Sequence, residues 1–229
     1  MLKKMVILTL TFFTYSLQGW INIETLQGLT GMKREILTNA MRKLDNIEKE
    51  AESGWKSYYH IFPNIINTFD LKKGCEIGVS TGGHSYEILK ITKVEKLYSI
   101  DPHCRNATLN LGDHYLYDIL HYRVKYRLSQ FGERSELIRA YSSNVVNRFK
   151  NNELDFVFVD GSHEYKDVKQ DLNLYFEKIR PGGIMGGDDY NTGFPGVPRA
   201  VNEFFGQKNI QINIDPEQPR IWWVQKPTK

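Results

Sequence analysis

Short apolar runs stopped by acidic residues or glycines alternate along this chain with longer stretches in which apolar positions recur every three or four residues. The run Leu154–Val159 is stopped by Asp160 and Gly161; a helical pattern follows until Pro181, Gly182 and Gly183 break it, and a second short run ends at Asp188 and Asp189. Apolar runs of this length bounded by turn residues read as buried strands, so this segment predicts a strand, helix, strand unit. Upstream, residues 74–89 read as a strand running into a glycine-rich turn, with a helix beginning near Gly82 or Gly83. Residues 97–100 form the next strand, stopped by Asp101, and residues 135–140 a third. Before these, Leu37, Met41, Leu44, Ile47 and Ala51 recur at helical spacing within residues 31–52 and predict an amphipathic helix. Residues 55–69 form a second, aromatic-rich helical stretch in which Pro63 starts or kinks a turn. Residues 113–131 and 197–206 are likewise helical. Residues 209–214 and 220–224 read as two strands joined by a turn containing Pro216 and Pro219. Trp222 and Trp223, adjacent in the last strand, must face opposite sides, one toward the core and one partly exposed.

Strands alternating with helices predict an α/β domain built on a parallel sheet. In such sheets ligands sit at the carboxyl ends of the strands, where Asp160, Asp188 and Asp189 would converge. The turn containing Gly78, Ser80 and Gly82 lets a ligand approach the backbone closely, because glycine adopts conformations closed to other residues. Its spacing is not the G-x-G-x-x-G of dinucleotide enzymes, and Glu76 just before it suits a ligand carrying an amino group rather than phosphates. Asp101, at the end of its strand, can accept hydrogen bonds from both hydroxyls of a ribose. A turn followed by a ribose carboxylate implies a nucleoside cofactor.

In EIGVSTGG, SIDP, FVFVDGSHEY and GGDDY, taken in order, the chain resembles the class I S-adenosylmethionine-dependent methyltransferases, and within them the branch that includes the macrolide-sugar O-methyltransferases. The resemblance spans residues 71–205. It implies that Glu76, Gly78, Ser80 and Gly82 contact the methionine part of S-adenosylmethionine and Asp101 its ribose, with Asp160 also at the cofactor. Tyr141, Ser142 and Ser143 fall where the family contacts adenine, although a serine there is also an ordinary helix cap. It also implies a Rossmann-like, doubly wound, seven-stranded sheet, mostly parallel with a C-terminal antiparallel strand pair and helices on both faces. Asp160, Asp188 and Asp189 are hard oxygen ligands suited to Mg²⁺, which would lower the pKa of an acceptor hydroxyl, and the resemblance implies the same three positions. Related small-molecule O-methyltransferases carry Asp-Asn where this chain has Asp188-Asp189, which bears on the third ligand. His163, three residues beyond Asp160, is the implied general base; its structural alternative is a solvent-facing residue beside a capping Ser162.

The expected activity is therefore O-methylation of a small hydroxylated acceptor, a sugar or polyol-like metabolite. An NAD-dependent oxidoreductase would share the sheet but wants the absent phosphate turn, and a cofactor-binding module without catalysis would keep the fold. A nucleic-acid methyltransferase would carry a proline-aromatic pair where Gly161-Ser162-His163 stand. The 229 residues suffice for one large α/β domain, divided as residues 1–19, a helical cover at 20–70 and the methyltransferase domain at 71–229. Lys and Arg number 30 against 27 Asp and Glu, a net +3 with no block dense enough for a nucleic-acid patch, and a homo-oligomer is compatible with this composition. Cys75 and Cys104 read as buried or incidental thiols, and His114 and His121 have no partner at readable spacing. Lys3 and Lys4 precede an apolar run at 5–13, which resembles a secretory signal peptide or an apolar helix packed on the domain; it is too short for a stable membrane span. Localisation stays open between the cytoplasm, where the donor is made, and export. Asn106-Ala107-Thr108 matches a glycosylation sequon.

Overall fold

The computed structural model describes residues 21–104 and 111–228. The N-terminal apolar run and the sequon both lie outside the described residues. Seven strands form one sheet: β1 (Lys73–Ile77), β2 (Lys96–Ile100), β3 (Ser135–Ile138), β4 (Leu154–Val159), β5 (Ile179–Gly187), β6 (Asn213–Ile214) and β7 (Trp222–Gln225). Their order is β3-β2-β1-β4-β5-β7-β6, parallel through β5 and antiparallel for the last two. This is the expected doubly wound sheet. The order reverses between β1 and β4, the place where such sheets open a crevice at their carboxyl ends.

The central strand shows why. Along β4, Phe156 and Phe158 enter the core on one face while Val157 and Val159 enter the other, so the strand is apolar from Phe156 to its end because both faces are covered. The first face carries α1 (Ile23–Thr30), α2 (Arg34–Trp55), α3 (Ile61–Thr68), α4 (Gly83–Ile91) and α5 (His114–Ser129). The second carries α6 (Ser142–Val145), α7 (Tyr165–Phe176) and α8 (Gly196–Gly206). Trp222 is fully buried on the second face, and Trp223 packs edge-on against Phe69 on the first, as strand alternation requires.

Three boundaries differ from the pattern reading. The helix expected at 31–52 is α2, running from Arg34 to Trp55, and it is preceded by a short helix the pattern did not show: Asn22 caps α1 by accepting the Thr25 N–H, and Gly31, at φ 68°, ends it before α2 begins. Leu37, Met41, Leu44 and Ile47 of α2 still pack on the core as the periodicity demands. Pro181, Gly182 and Gly183 do not precede a strand but lie inside β5, where the partner of Leu154 is Ile179 and that of Phe156 is Ile184, leaving the intervening residues bulged. The closing strands are shorter than expected, and β3 stops at Ile138.

The helix α5 carries a buried charge that amphipathic spacing alone did not reveal. Arg123, without solvent exposure, donates to Asp45 at 2.7 Å and Glu48 at 2.8 Å, tying α5 to α2. Removing one side of such a pair leaves an uncompensated buried charge. Cys75 is buried and Cys104 half-buried, both as free thiols. No helix among the described residues is long and apolar enough to cross a membrane.

Candidate active site

The turn after β1 is built by backbone, not by side-chain bulk. Gly78 has φ 88°, and a Cβ there would stand 2.0 Å from the carbonyl oxygen of Asp160. Only glycine lets β1 and β4 close together at their carboxyl ends. The Gly78 N–H donates to Ile100 at 2.9 Å and the Asp160 N–H to Ile77 at 2.8 Å, which locks the ends of three strands to one another. Asp101 then organises the turn: its Oδ2 accepts the N–H groups of Val79 at 2.8 Å and Ser80 at 2.9 Å, and its Oδ1 accepts that of His103 at 2.7 Å. His103 Nε2 also meets the Ser80 carbonyl at 2.9 Å. The buried Asp101 carboxylate thus holds the loop in shape as well as facing the crevice.

That crevice is a cavity of about 720 Å³. It gathers Glu76, Gly78, Ser80, Asp101, Ser142, Ser143, Asp160, His163, Asp188 and Asp189, which are all the expected site residues except Gly82. Gly82 faces Val124 instead and, at φ 78°, shapes the entry to α4. Both Glu76 oxygens are partnered within the protein, one by His84 Nδ1 at 2.8 Å and the other by the Ser85 hydroxyl. Ser142 donates to Asp171, and Tyr175 donates to the Ser142 carbonyl at 2.8 Å, fixing the start of α6 at the cavity wall. Burial is the main reason the Asp171 carboxyl is pushed up to about 6.

At the other end stand three carboxylates. Asp160 forms no side-chain hydrogen bond or ion pair among the described residues; burial pushes it well above the usual carboxylate range, and Asp188, Asp189 and Glu76 push in the same direction. Asp188 is raised chiefly by burial, against the opposing pull of Arg220. Burial also acts to raise Asp189, but hydrogen bonds from His163 and Thr192 outweigh it and hold that carboxyl below its ordinary value.

Arg220 and several ring residues were missed in the sequence. Antiparallel pairing sets Gly187 opposite Trp222, so the residues just after β5 meet those just before β7, and the Tyr190 N–H donates to the Arg220 carbonyl at 2.9 Å. The Arg220 guanidinium donates to Asp188 Oδ1 at 2.5 Å and Oδ2 at 2.9 Å, and to Asp189 Oδ1 at 2.7 Å. Register was the only sequence signal that could have found it. Trp55, Tyr58 and Tyr59, from the aromatic-rich stretch of the helical cover, line the cavity, as does Phe194. His121, for which spacing showed no partner, meets His103 Nδ1 at 3.3 Å; burial, followed by His103 and Arg139, lowers it to about 4.

His163 lines the cavity beside the three carboxylates. Its Nε2 lies 2.8 Å from Asp189 Oδ2, and Phe194 stacks on the ring with centroids 3.8 Å apart. A Cβ on Gly196 would lie 2.3 Å from the His163 carbonyl, so α8 presses the loop into position. Ser162 accepts the Glu164 N–H at 3.2 Å and donates to Asp167 at 2.9 Å, but it is not the helix cap, because α7 starts at Tyr165 with Glu164 in the cap position.

The three aspartates do not fit a divalent cation as they stand. Every Asp188 and Asp189 oxygen already accepts a proton donor: Arg220 on three of them and His163 on the fourth. Mg²⁺ needs ligand oxygens near 2.0–2.1 Å in octahedral array. Among the described residues no group of three or more His, Cys, Asp or Glu side chains has a metal-holding arrangement.

A parallel sheet reversed between β1 and β4, a glycine turn after β1, an acid after β2 and an antiparallel closing pair together define the Rossmann-like methyltransferase fold. The family model described as "Methyltransferase domain" matches residues 75–190, and the chain belongs to that family. An uncharacterized protein, R132 of Acanthamoeba polyphaga mimivirus, is 31% identical over 156 residues, 64% of this chain; the match spans 66% of that relative's length, just under two thirds. Among solved structures, the O-methyltransferase TomG from Streptomyces achromogenes, involved in tomaymycin synthesis and crystallised with S-adenosylmethionine, aligns with TM-score 0.57 at 13% identity, covering 90% of this chain and 95% of that one. The Bacillus cereus O-methyltransferase in complex with S-adenosylhomocysteine aligns with TM-score 0.57 at 12% identity, covering 89% and 96%. At these identities the likeness is one of fold.

Proposed function

We propose that the chain transfers a methyl group from S-adenosylmethionine to a hydroxyl of a small acceptor, a sugar or polyol-like metabolite. The observation that carries this reading is that a single cavity joins the β1 turn, Asp101 and the Ser142–Ser143 wall to the Asp160, His163, Asp188 and Asp189 cluster. In this reading the nucleoside donor lies along the first group. Ser80 and Gly78 offer close backbone approach, Asp101 faces the ribose, and Ser142 and Ser143 border the adenine. The acceptor occupies the end walled by Tyr58, Tyr59 and Phe194.

In the transfer, a lone pair on the acceptor oxygen forms the new O–C bond as the S–C bond breaks and its electron pair returns to sulfur, leaving S-adenosylhomocysteine. Holding oxygen, methyl carbon and sulfur in line supplies much of the rate. The hydroxyl proton goes to His163. In the tautomer that donates Nε2–H to Asp189, the Nδ1 lone pair is left to accept it, and Asp189 then stabilises the imidazolium. The carboxylate orients the base. Mg²⁺ at Asp160, Asp188 and Asp189 takes no part in this scheme, because the latter two carboxylates are already committed to Arg220 and His163.

The test is a screen of hydroxylated acceptors with methyl-labelled donor, run on the wild type and His163→Ala. Loss of turnover on roughly the 10²–10⁴ scale of general-base catalysis, with S-adenosylhomocysteine affinity retained, supports the assignment. A His163→Ala protein that methylates as fast as the wild type would remove His163 from the mechanism.

A further inference from the structure

We infer that Arg220 is the resident cation of this active site, filling with a tethered guanidinium the position between Asp188 and Asp189 that a divalent metal would otherwise take. The inference rests on the proposed reading only for what the cation serves; the occupancy itself rests on geometry. Asp188 Oδ1 accepts both Arg220 Nε at 2.5 Å and the Asp189 N–H at 2.6 Å, and Oδ2 accepts Arg220 Nη2 at 2.9 Å. Asp189 Oδ1 accepts Arg220 Nη2 at 2.7 Å and the Thr192 hydroxyl at 2.9 Å, while Oδ2 meets His163. A metal would have to displace one of these donors and then sit beside a fixed positive charge in a site where that charge is poorly screened. Repulsion would add to the lost hydrogen bonds.

The guanidinium is also built in rather than draped over the site. The Tyr190 N–H pins the Arg220 backbone, the Tyr58 ring covers the guanidinium with 4.3 Å from Cζ to the ring centroid, and the side chain is 23% exposed. A planar fork meeting two carboxylates is the arrangement arginine provides and lysine does not. Among the described residues Nη1 has no hydrogen bond, and Arg220 lines the cavity. That nitrogen is the donor left to hold an acceptor oxygen as its proton departs. A guanidinium holds one oxygen without needing the adjacent pair of oxygens that chelation to a metal favours, so acceptors with an isolated hydroxyl are admitted.

The experiment is a titration of the full chain with Mn²⁺, followed by electron paramagnetic resonance, on the wild type, Arg220→Ala and Arg220→Lys, with S-adenosylhomocysteine binding measured separately on the same samples. The expected result is no stoichiometric Mn²⁺ site in the wild type and a gain of Mn²⁺ affinity of at least about tenfold in folded Arg220→Ala, which frees oxygens of both aspartates. Should Arg220→Ala fail to fold, Arg220→Lys, which cannot occupy both carboxylates, is expected to show the same gain in weaker form. One Mn²⁺ bound per wild-type chain would overturn the inference, as would folded variants with no gain. Failure of S-adenosylhomocysteine to bind would instead count against the proposed function, leaving the Mn²⁺ result to decide the place of Arg220.

Discussion

Replacing Asp101 separates the proposed ribose contact from a structural role, because the carboxylate holds the turn after β1 together whether or not a ligand is present. Three backbone N–H groups converge on it, those of Val79, Ser80 and His103, at 2.8, 2.9 and 2.7 Å. Val79 and His103 are buried, and Ser80 is partly so. Hydrogen bonds to a charged acceptor contribute about 1.5–3 kcal/mol each, and a buried donor left unpaired carries its full desolvation cost. With water reaching Ser80, Asp101→Ala is expected to lose about 4 kcal/mol of folding stability, a fall in Tm of roughly 8–16 °C for a domain of this size. Asp101→Asn should lose about 2 kcal/mol, since its amide oxygen can keep Val79 and Ser80 while its NH₂ group confronts the His103 N–H. Urea unfolding and calorimetric titration with S-adenosylhomocysteine give the two readouts. Both variants should bind the ligand more weakly. An Asp101→Ala protein within about 1 kcal/mol of the wild type would refute the clamp, leaving the carboxylate to serve the ligand alone.

Gly78→Ala should be far worse than Gly31→Ala, although both glycines have positive φ, 88° and 68°. At Gly78 the added carbon meets the Asp160 carbonyl at 2.0 Å, whereas at Gly31 nothing lies within 4 Å; the expected costs are roughly 3 kcal/mol or more against about 1 kcal/mol by chemical denaturation, and equal costs would contradict the close approach of β1 and β4. Asp171, pushed up to about 6 from 3.8 mainly by burial, keeps its proton longer in the folded chain than in the unfolded one. The stability it contributes is therefore present below about pH 4 and lost as pH rises through about 6. Asp171→Asn, neutral throughout, should be more stable than the wild type at pH 7.5 by up to about 3 kcal/mol and close to it at pH 4, whereas a pH-independent difference would show that ionisation of Asp171 is not what costs stability.

The parts of the fold that the sequence made legible are those where burial dictates residue type. β4 is apolar on both faces because helices cover both, and its stop at Asp160 marks the carboxyl end where the cavity opens. The order of motifs placed Gly78, Asp101, Asp160 and Asp188 at the ends of β1, β2, β4 and β5 for the same reason. What escaped depended on register or on backbone geometry. The bulge within β5 reads as a helix breaker until its pairing with β4 is known, and the break between α1 and α2 turns on one left-handed glycine. Arg220 lies more than thirty residues from Asp188, and only the antiparallel return of β7 brings them together. The partner of Asp188 and Asp189 was therefore invisible in the sequence. The part Asp101 plays in holding its loop was not legible, since hydrogen bonds from backbone N–H groups leave no trace in residue identity.

The most direct test of the account is a calorimetric titration of the full chain with S-adenosylhomocysteine beside NAD. The account predicts one molecule of S-adenosylhomocysteine bound per chain, no binding of NAD, and an affinity sharply reduced by Gly78→Ala, where the added carbon would collide with the Asp160 carbonyl at the turn after β1. Folded protein that fails to bind S-adenosylhomocysteine, or binds NAD in its place, would contradict it.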